Sequence, residues 1–439
     1  MMKGPREPRR PARGERPRPV ARLAVALGVV LALLAPAARA ATWLLVPMDL
    51  VQHNHLRAYG VAFHTLQAGD KVHWLLNYRG GSFLLEDTQR ARQDARLLGV
   101  DFEEIGDAEV ASIQATVAQE NMDDVLLEKA PRIAVYVPPY MQPWDDAVTL
   151  ALTYADVPYD KVYDTDVLSG RLREYDWLHL HHEDFTGQYG KFYASFGLEP
   201  WYLEQKAFQE DLAKKLGYGT VWQEKHAVAQ TIAQYVDGGG FLFAMCSATD
   251  SIDIALAWLG VDIVGEPYDG TPVDPDYRQK ADFSRTFAFE NLKLTTNPMV
   301  YEYSDLDTSN YSQMRGPEAD YFTLFAFAAK YDPVPAMLTQ DHVNVINGFL
   351  GQTTGFHQRF LKRSVVVLAQ VEGTDEVKYI HGRRGQGTFT FLGGHDPEDY
   401  QHRVGDEATD LDLYPTSPGY RLILNNVLFP AARQKPQKT

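Results

Sequence analysis

Short apolar runs such as "RIAVYV" and "FLFAMC", each followed by residues at helical spacing, set the tightest limit on what this chain can fold into. A strand that is apolar on successive residues must be covered on both faces. Strands of that kind alternating with helices predict a parallel sheet layered between helices, an α/β fold. The chain has 439 residues, enough for a large core and for two packed α/β units.

The first unit is expected over residues 41–125. "TWLLVPM" reads as a strand, and "VQHNHLRAYGVAFHTLQAG" as a helix stopping at Gly69. "KVHWLLNY" is a second strand ending in the turn "RGGS", and "RQDARLLGVDFEEI" a further helix and strand. "ENMDDVLLEKAP" reads as a connector. The second unit spans 131–430, opening with the strand "RIAVYVPP" and the helix "PWDDAVTLALTYADV", whose first turn carries acids where the helix dipole favours them. "YDKVYD" and "YDWLHLHHEDF" are strands, "QEKHAVAQTIAQYVDGGG" a helix, "FLFAMC" a strand and "DSIDIALAWLG" the helix after it. Two insertions break the rhythm, an aromatic-rich one at about 185–222 and a mixed one at about 262–385. The second contains the strand-like "SVVVLAQVEG" and leads into "EVKYIHGRRGQGTFTFLGG"; "SPGYRLILNNVLFPA" closes the chain as a helix.

Residues 1–40 are expected to lie outside the fold. A basic, proline-rich start, a short apolar run "LAVALGVVLALLAP" and "ARA" before Ala41 form the pattern of a secretory signal peptide, cleaved near Ala40/Ala41. The run is too short for a comfortable transmembrane helix, so the mature chain is expected to be exported, periplasmic or extracellular, without stable membrane insertion. Residues 1–40 hold nine basic and two acidic residues, so cleavage deepens the formal charge from −16 to about −23. That acidity argues against nucleic acid and anionic membrane surfaces as partners. A single cysteine, Cys246, excludes an internal disulfide.

Three places could carry chemistry. Cys246 ends an apolar strand and precedes a helix, where a turn exposes a nucleophile near the positive helix end and a thiol can lose its proton more readily. Ser247, Thr249 and Asp250 suit capping of that helix. His395 follows the strand "TFTFL" and a Gly-Gly pair, at the carboxyl edge where open parallel sheets bind ligands. Asp396 and Glu398 stand close enough in sequence to orient its ring for proton transfer. His181, His182, Glu183 and Asp184 follow the strand "YDWLHL" and form a third candidate binding group. Neighbouring strand residues point to opposite faces, so only one of His181 and His182 is expected to face a given cleft. A metal there would need His395, or His53 and His55, to converge on the same point, and no H-E-x-x-H motif occurs, so no metal ligand set is assigned. No G-x-G-x-x-G follows the first strand, so no NAD or ATP cofactor is expected.

The order strand, helix, strand, "YDWLHLHH", helix, "GGGFLFAMCSA", then "GQGTFTFLGGHDPE" resembles the class I glutamine amidotransferase-like superfamily, which includes glutaminase domains, DJ-1/PfpI proteins and ThuA-like domains. The resemblance covers about 131–260 and 386–430 and is closest to ThuA-like domains. It implies a flavodoxin-like parallel sheet with helices on both faces, an extra N-terminal α/β unit and large insertions. It places Cys246 at the nucleophile position, His395 at the general-base position and oxyanion-hole amides in the loop after "LHLH". Ala244 and Ala248 stand where glutaminases favour glycine, and Pro397 stands where their acid sits, which leaves Asp396 or Glu398. The mature chain also resembles exported bacterial proteins labelled asparagine synthetase B-like, in "NHLRAYGVAF", "WLLNYRGGSFLL" and "QPWDDAVTLAL". A true ATP-dependent asparagine synthetase needs an N-terminal cysteine and an S-G-G-x-D-S loop, and neither is present.

The expected function is a cysteine-dependent amide hydrolase or amidotransferase-like enzyme with Cys246 attacking and His395 moving protons. One alternative is a binding module for a small molecule or carbohydrate, using aromatic residues such as Trp201 in the first insertion. The other is a metal site at His181, His182 and His395.

Overall fold

The central strands of both sheets are buried on successive residues, while strands toward the sheet edges leave residues exposed. The computed structural model describes residues 1, 2, 4, 42–139, 146–332, 334–339 and 343–433, so the signal-peptide reading falls almost wholly outside the described residues. Strands β1 (Thr42–Val46), β2 (Val72–Leu76), β3 (Ser82–Glu86), β4 (Glu103–Gly106) and β5 (Asp123–Leu127) form a sheet of order β4-β1-β3-β2-β5, antiparallel at every pairing. The expected connector "ENMDDVLLEKAP" is therefore in part a strand. Val125 and Leu127 turn inward, while Asp124 accepts a hydrogen bond from His73 Nδ1 of β2 at 2.9 Å. Two inward residues among acids give too short an alternation to register as a strand in the sequence.

The second sheet holds β6 (Ile133–Tyr136), β7 (Asp160–Val162), β8 (Trp177–Leu180), β9 (Phe241–Met245), β10 (Tyr321–Leu324), β11 (Val345–Asn347), β12 (Phe356–His357), β13 (Val366–Gln370), β14 (Glu376–Arg384) and β15 (Gly387–Leu392). Its order is β11-β10-β13-β14-β15-β9-β8-β6-β7, with β12 paired to β14. The stretch β7-β6-β8-β9-β15 is parallel. The expectation of a wholly parallel sheet fails beyond β15. A tight turn of Gly385 and Gln386 joins β14 to β15, and a turn that short permits only antiparallel pairing. Strands from the 262–385 insertion then extend the sheet antiparallel as β13, β10 and β11.

Helices cover the parallel stretch on both faces. On one, helices His55–Gln67, Ala147–Tyr154 and Pro418–Leu428 share a buried cluster with Trp177, Phe243 and the inner face of the first sheet. Trp177 Nε1 donates to Asn426 O of the last of these helices at 3.1 Å, which pins that helix to β8. On the other face, helices Val221–Asp237 and Ala248–Ala257 pack Val228, Ile232 and Ile252 against Leu242 and Phe391. Residues from Thr42 onward make one compact unit. The first insertion contributes helix Pro200–Lys215. No helix among the described residues is long and apolar enough to cross a membrane.

One buried histidine in this scaffold makes stability depend on pH. His226, in helix Val221–Asp237, accepts from Gly260 N through Nδ1 at 3.3 Å, and burial lowers its pKa to about 3. The folded chain keeps this ring neutral while the unfolded chain protonates it near pH 6.5. Its contribution is therefore whole above about pH 6.5 and is lost as the pH falls toward 3. Thermal melts from pH 7 to pH 4 are expected to show a smaller fall in Tm for His226→Gln than for the parent chain. An equal fall in both would contradict this assignment.

Candidate functional site: a histidine cluster beside Cys246

The parallel strands β6, β8, β9 and β15 end at the same edge, and polar residues gather there from within the strands and from the residues that follow them. After β6 comes Asp146, the N-cap of helix Ala147–Tyr154, whose Oδ1 accepts from Val148 N and Thr149 N. β8 contributes His179 from within the strand and His181 and His182 just beyond it. Cys246 stands between β9 and helix Ala248–Ala257, and after β15 come Gly393, Gly394 and His395. Gly394 has φ +92°, and a Cβ there would lie 2.4 Å from the Phe349 ring, so only glycine lets the chain turn under that side chain.

His395 lies with histidines rather than with the thiol. Its ring centroid is 4.2 Å from that of His181, 5.6 Å from His182 and 3.9 Å from His402, on which it stacks. It is 5% exposed, and neither ring nitrogen has a hydrogen-bond partner. The expected Cys246–His395 hydrogen bond is accordingly absent among the described residues. Neither expected acid orients the ring. Asp396 accepts from Glu398 N through Oδ1 and from Thr409 Oγ1 through Oδ2, so it braces its own turn.

The expectation that only one of His181 and His182 would face the cleft also fails. Strand geometry ends at Leu180, so the alternation rule no longer applies, and both rings come close to His395. One nitrogen from each of His181, His182 and His395 lies within 4.8 Å of the other two. Behind them, His179 Nδ1 donates to Phe243 O at 3.0 Å, and His179 Nε2 meets His181 Nδ1 at 3.2 Å. Asp146 flanks the pair, with Oδ1 at 3.5 Å from His181 Nδ1 and Oδ2 at 3.7 Å from His179 Nε2.

Burial dominates the electrostatics. It pushes His179 down to about 3 against the pull of Asp146. Burial, then the neighbouring histidines, holds His182 and His395 well below the ordinary imidazole range. Burial acts to raise the Asp146 carboxyl, but the His181 and His179 rings together outweigh it and hold it below the usual range. Glu183, whose Oε2 accepts from His181 N at 2.7 Å, is raised to about 8 by burial and then by Asp146.

Cys246 has the backbone of a nucleophile turn but not the acidity of an activated thiol. Its φ is +49°, a strained value for a residue with a Cβ. Gln352 N donates to its Sγ at 3.4 Å. The side chain is 2% exposed, and burial pushes the thiol up to about 11 despite that amide. The amide on the sulfur thus comes from the 262–385 insertion, not from the loop after "LHLH". Residues 349–355 are stapled over the strand ends: His395 N donates to Leu350 O, Gly394 N to Thr353 O, and Lys378 Nζ to Thr354 O.

The remaining expected residues have placements of their own. Asp184 accepts from Thr186 N, Gln188 N and Gly190 N, so it organises the start of the first insertion. Ser247 is buried at the N-cap without a side-chain capping bond. Trp201 packs edge-on against Phe192 and Tyr202 in a separate aromatic cluster. Asp146, His179, His402 and Gln352 were not singled out in the sequence. His179 carried a signal as a polar residue inside the apolar strand "WLHL", and Asp146 as an acid at the start of the helix "PWDDAVTLALTYADV".

A cavity of about 40 Å³ beside the cluster is lined by His182, Glu183, Asp184, Tyr136, Tyr189 and Lys225, with room for water or a small group. A far larger cleft, about 1050 Å³, lies at the amino ends of the strands, lined by Asp176, Gly240, Phe241, His381 and Gly387. None of the expected residues reaches it, and in open α/β sheets ligands bind at the opposite, carboxyl edge. The smaller cavity is the one next to the histidine cluster.

No family model and no curated protein matches this chain. Among solved structures, the cytoplasmic protein STM3548 from Salmonella typhimurium aligns at 10% identity and a TM-score of 0.33, over 69% of this chain and 100% of that one. The cytoplasmic protein STM1381 from Salmonella typhimurium LT2 aligns at 11% identity and a TM-score of 0.34, over 69% and 99%. Likenesses this low carry no argument about the site.

The sealed, weakly acidic thiol sets a reactivity test. Iodoacetamide labelling of the native chain is expected to be slow at neutral pH and to accelerate as the pH approaches 11, with the denatured chain labelling readily near pH 9. Rapid, complete labelling of the native chain at neutral pH would contradict the placement of Cys246.

Proposed function

We propose that this chain is an exported enzyme that hydrolyses a small polar molecule at the carboxyl edge of β6, β8, β9 and β15, with the histidine cluster as its reacting centre. The observation that carries this reading is the convergence of His181, His182 and His395 from two different strand ends beside a small polar cavity. The strand order β7-β6-β8-β9-β15, which is 2-1-3-4-5 in chain order, supports an amidotransferase-like, flavodoxin-like sheet, where a ligand site belongs at this edge. The cavity's size supports a small substrate group. Imidazole nitrogens massed at one point support proton transfer or activation of water rather than attack by carbon or sulfur.

A second reading keeps Cys246 as nucleophile. It is favoured by the left-handed backbone at Cys246 and by the Gln352 amide on its sulfur. The two readings part on one pair of variants. Assayed against a panel of small amides and esters, His395→Ala is expected to lose roughly 10²–10⁴-fold in kcat/KM, while Cys246→Ser stays within about tenfold of the parent. Loss of all turnover in Cys246→Ser, with His395→Ala little changed, would favour the thiol.

A further inference from the structure

Three imidazoles close together are not a site unless something else points to a ligand. Here the second observation is His395. A ring 95% removed from solvent, with neither nitrogen hydrogen-bonded, leaves a donor and an acceptor unmet, which costs stability. Packing does not require this, since an apolar side chain would fill the same space without the cost. A buried imidazole nitrogen facing two others is satisfied by a cation.

Hydrogen bonding behind the cluster points the same way. A backbone carbonyl only accepts, so Phe243 O fixes the His179 proton on Nδ1, and the neutral ring presents a lone pair at Nε2. His181 Nδ1, 3.2 Å away, then donates its proton to that lone pair, with Asp146 beside it at 3.5 Å. His181 is left with Nε2 as its ligand-capable nitrogen. Metal-binding histidines are typically held this way, the far nitrogen donating to a carbonyl, carboxylate or similar group that fixes tautomer and ring plane.

We propose that His181, His182 and His395 bind one divalent transition metal of the zinc type, with Asp146 and His179 as positioning residues behind His181. The proposal rests on the reading of the cluster as the reacting centre and supplies its cofactor. Zinc–nitrogen distances of about 2.0–2.1 Å need ligand nitrogens somewhat over 3 Å apart, which ring rotation reaches from a cluster already within 4.8 Å. Three neutral nitrogen ligands with a further position left to water or substrate form a catalytic rather than a structural zinc set. Nitrogen ligands without thiolate also suit copper, nickel and cobalt, so the class is defined by imidazole, not by zinc alone. Asp146, His179 and His181 also bring ligand atoms together, but the two ring nitrogens already bond each other and Asp146 Oδ1 already accepts from Val148 N and Thr149 N, which makes them the supporting layer.

The test is zinc binding by the full chain after chelator treatment and dialysis, read as zinc per chain by elemental analysis and as Kd by calorimetry. One zinc per chain is expected for the parent. His395→Ala is expected to lose at least 100-fold in affinity, and His395→Asn likewise. Asp146→Asn should weaken binding 10- to 100-fold without abolishing it, and His226→Gln, at a ring whose Nδ1 bonds Gly260 N, should leave it unchanged. Circular dichroism checks that each variant folds, and the visible bands of four-coordinate cobalt in the parent give a second readout that His395→Ala should erase. No bound zinc in the folded parent, or equal affinity in His395→Ala, would overturn the proposal. So would loss of binding on Asp146→Ala with none on His395→Ala, because the metal would then sit in the other group. The outcomes separate from those of the function reading. Zinc binding without hydrolysis sinks the function alone, and hydrolysis that survives chelation without zinc binding sinks the metal alone.

Discussion

One hydrogen bond inside the sheet, from His179 Nδ1 to Phe243 O, organises everything at the carboxyl edge. His179 and Phe243 are register partners across β8 and β9, so the bond is set by the pairing of the two strands. It lies in a fully buried layer, where the His179 ring stacks at 5.4 Å on Phe243. A carbonyl in that position dictates one tautomer, and the tautomer passes outward through His181. The sheet therefore determines which nitrogen His181 presents beyond the strand end. Asp146, the N-cap of helix Ala147–Tyr154, closes the arrangement from the other side.

The same burial that makes the histidine layer specific works against the thiol. A strand-to-helix turn can lower a cysteine pKa through the helix dipole and backbone amides. At Cys246 the Gln352 amide contributes in that direction, yet desolvation wins and the thiol moves up. The loop 349–355, held by Lys378 and by the backbone of Gly394 and His395, keeps water from the sulfur. For the imidazoles a dry site favours the neutral ring, which can accept a proton or a cation.

Much of the parallel half of the fold was legible because its strands are buried on both faces. "RIAVYV", "FLFAMC" and "TFTFL" announce themselves as apolar runs, and each became a strand, with Cys246 and His395 just beyond the last two. β5 was hidden because an edge strand that opens with Asp123 and Asp124 leaves only the three apolar residues Val125, Leu126 and Leu127. The direction of β10, β11, β13 and β14 depends on a two-residue turn and on long-range pairing, which composition does not encode. At the site, Cys246 and His395 were both visible as strand-end residues, but their relation was not. Which way a ring turns after a Gly-Gly pair depends on Phe349 and on the loop laid over it, far away in sequence. His402 and Gln352 come from loops with no local pattern, and the capping pattern that marks Asp146 says nothing of the histidines it meets, so only the folded chain brings them together.

The central claim is that chemistry at this edge belongs to the histidines. Its most direct test is a crystal of the full chain grown with zinc, with diffraction recorded on both sides of the zinc absorption edge. The account predicts one strong anomalous peak about 2.0–2.1 Å from a nitrogen of each of His181, His182 and His395. An edge without a peak, with His395 still buried and unbonded, would contradict it.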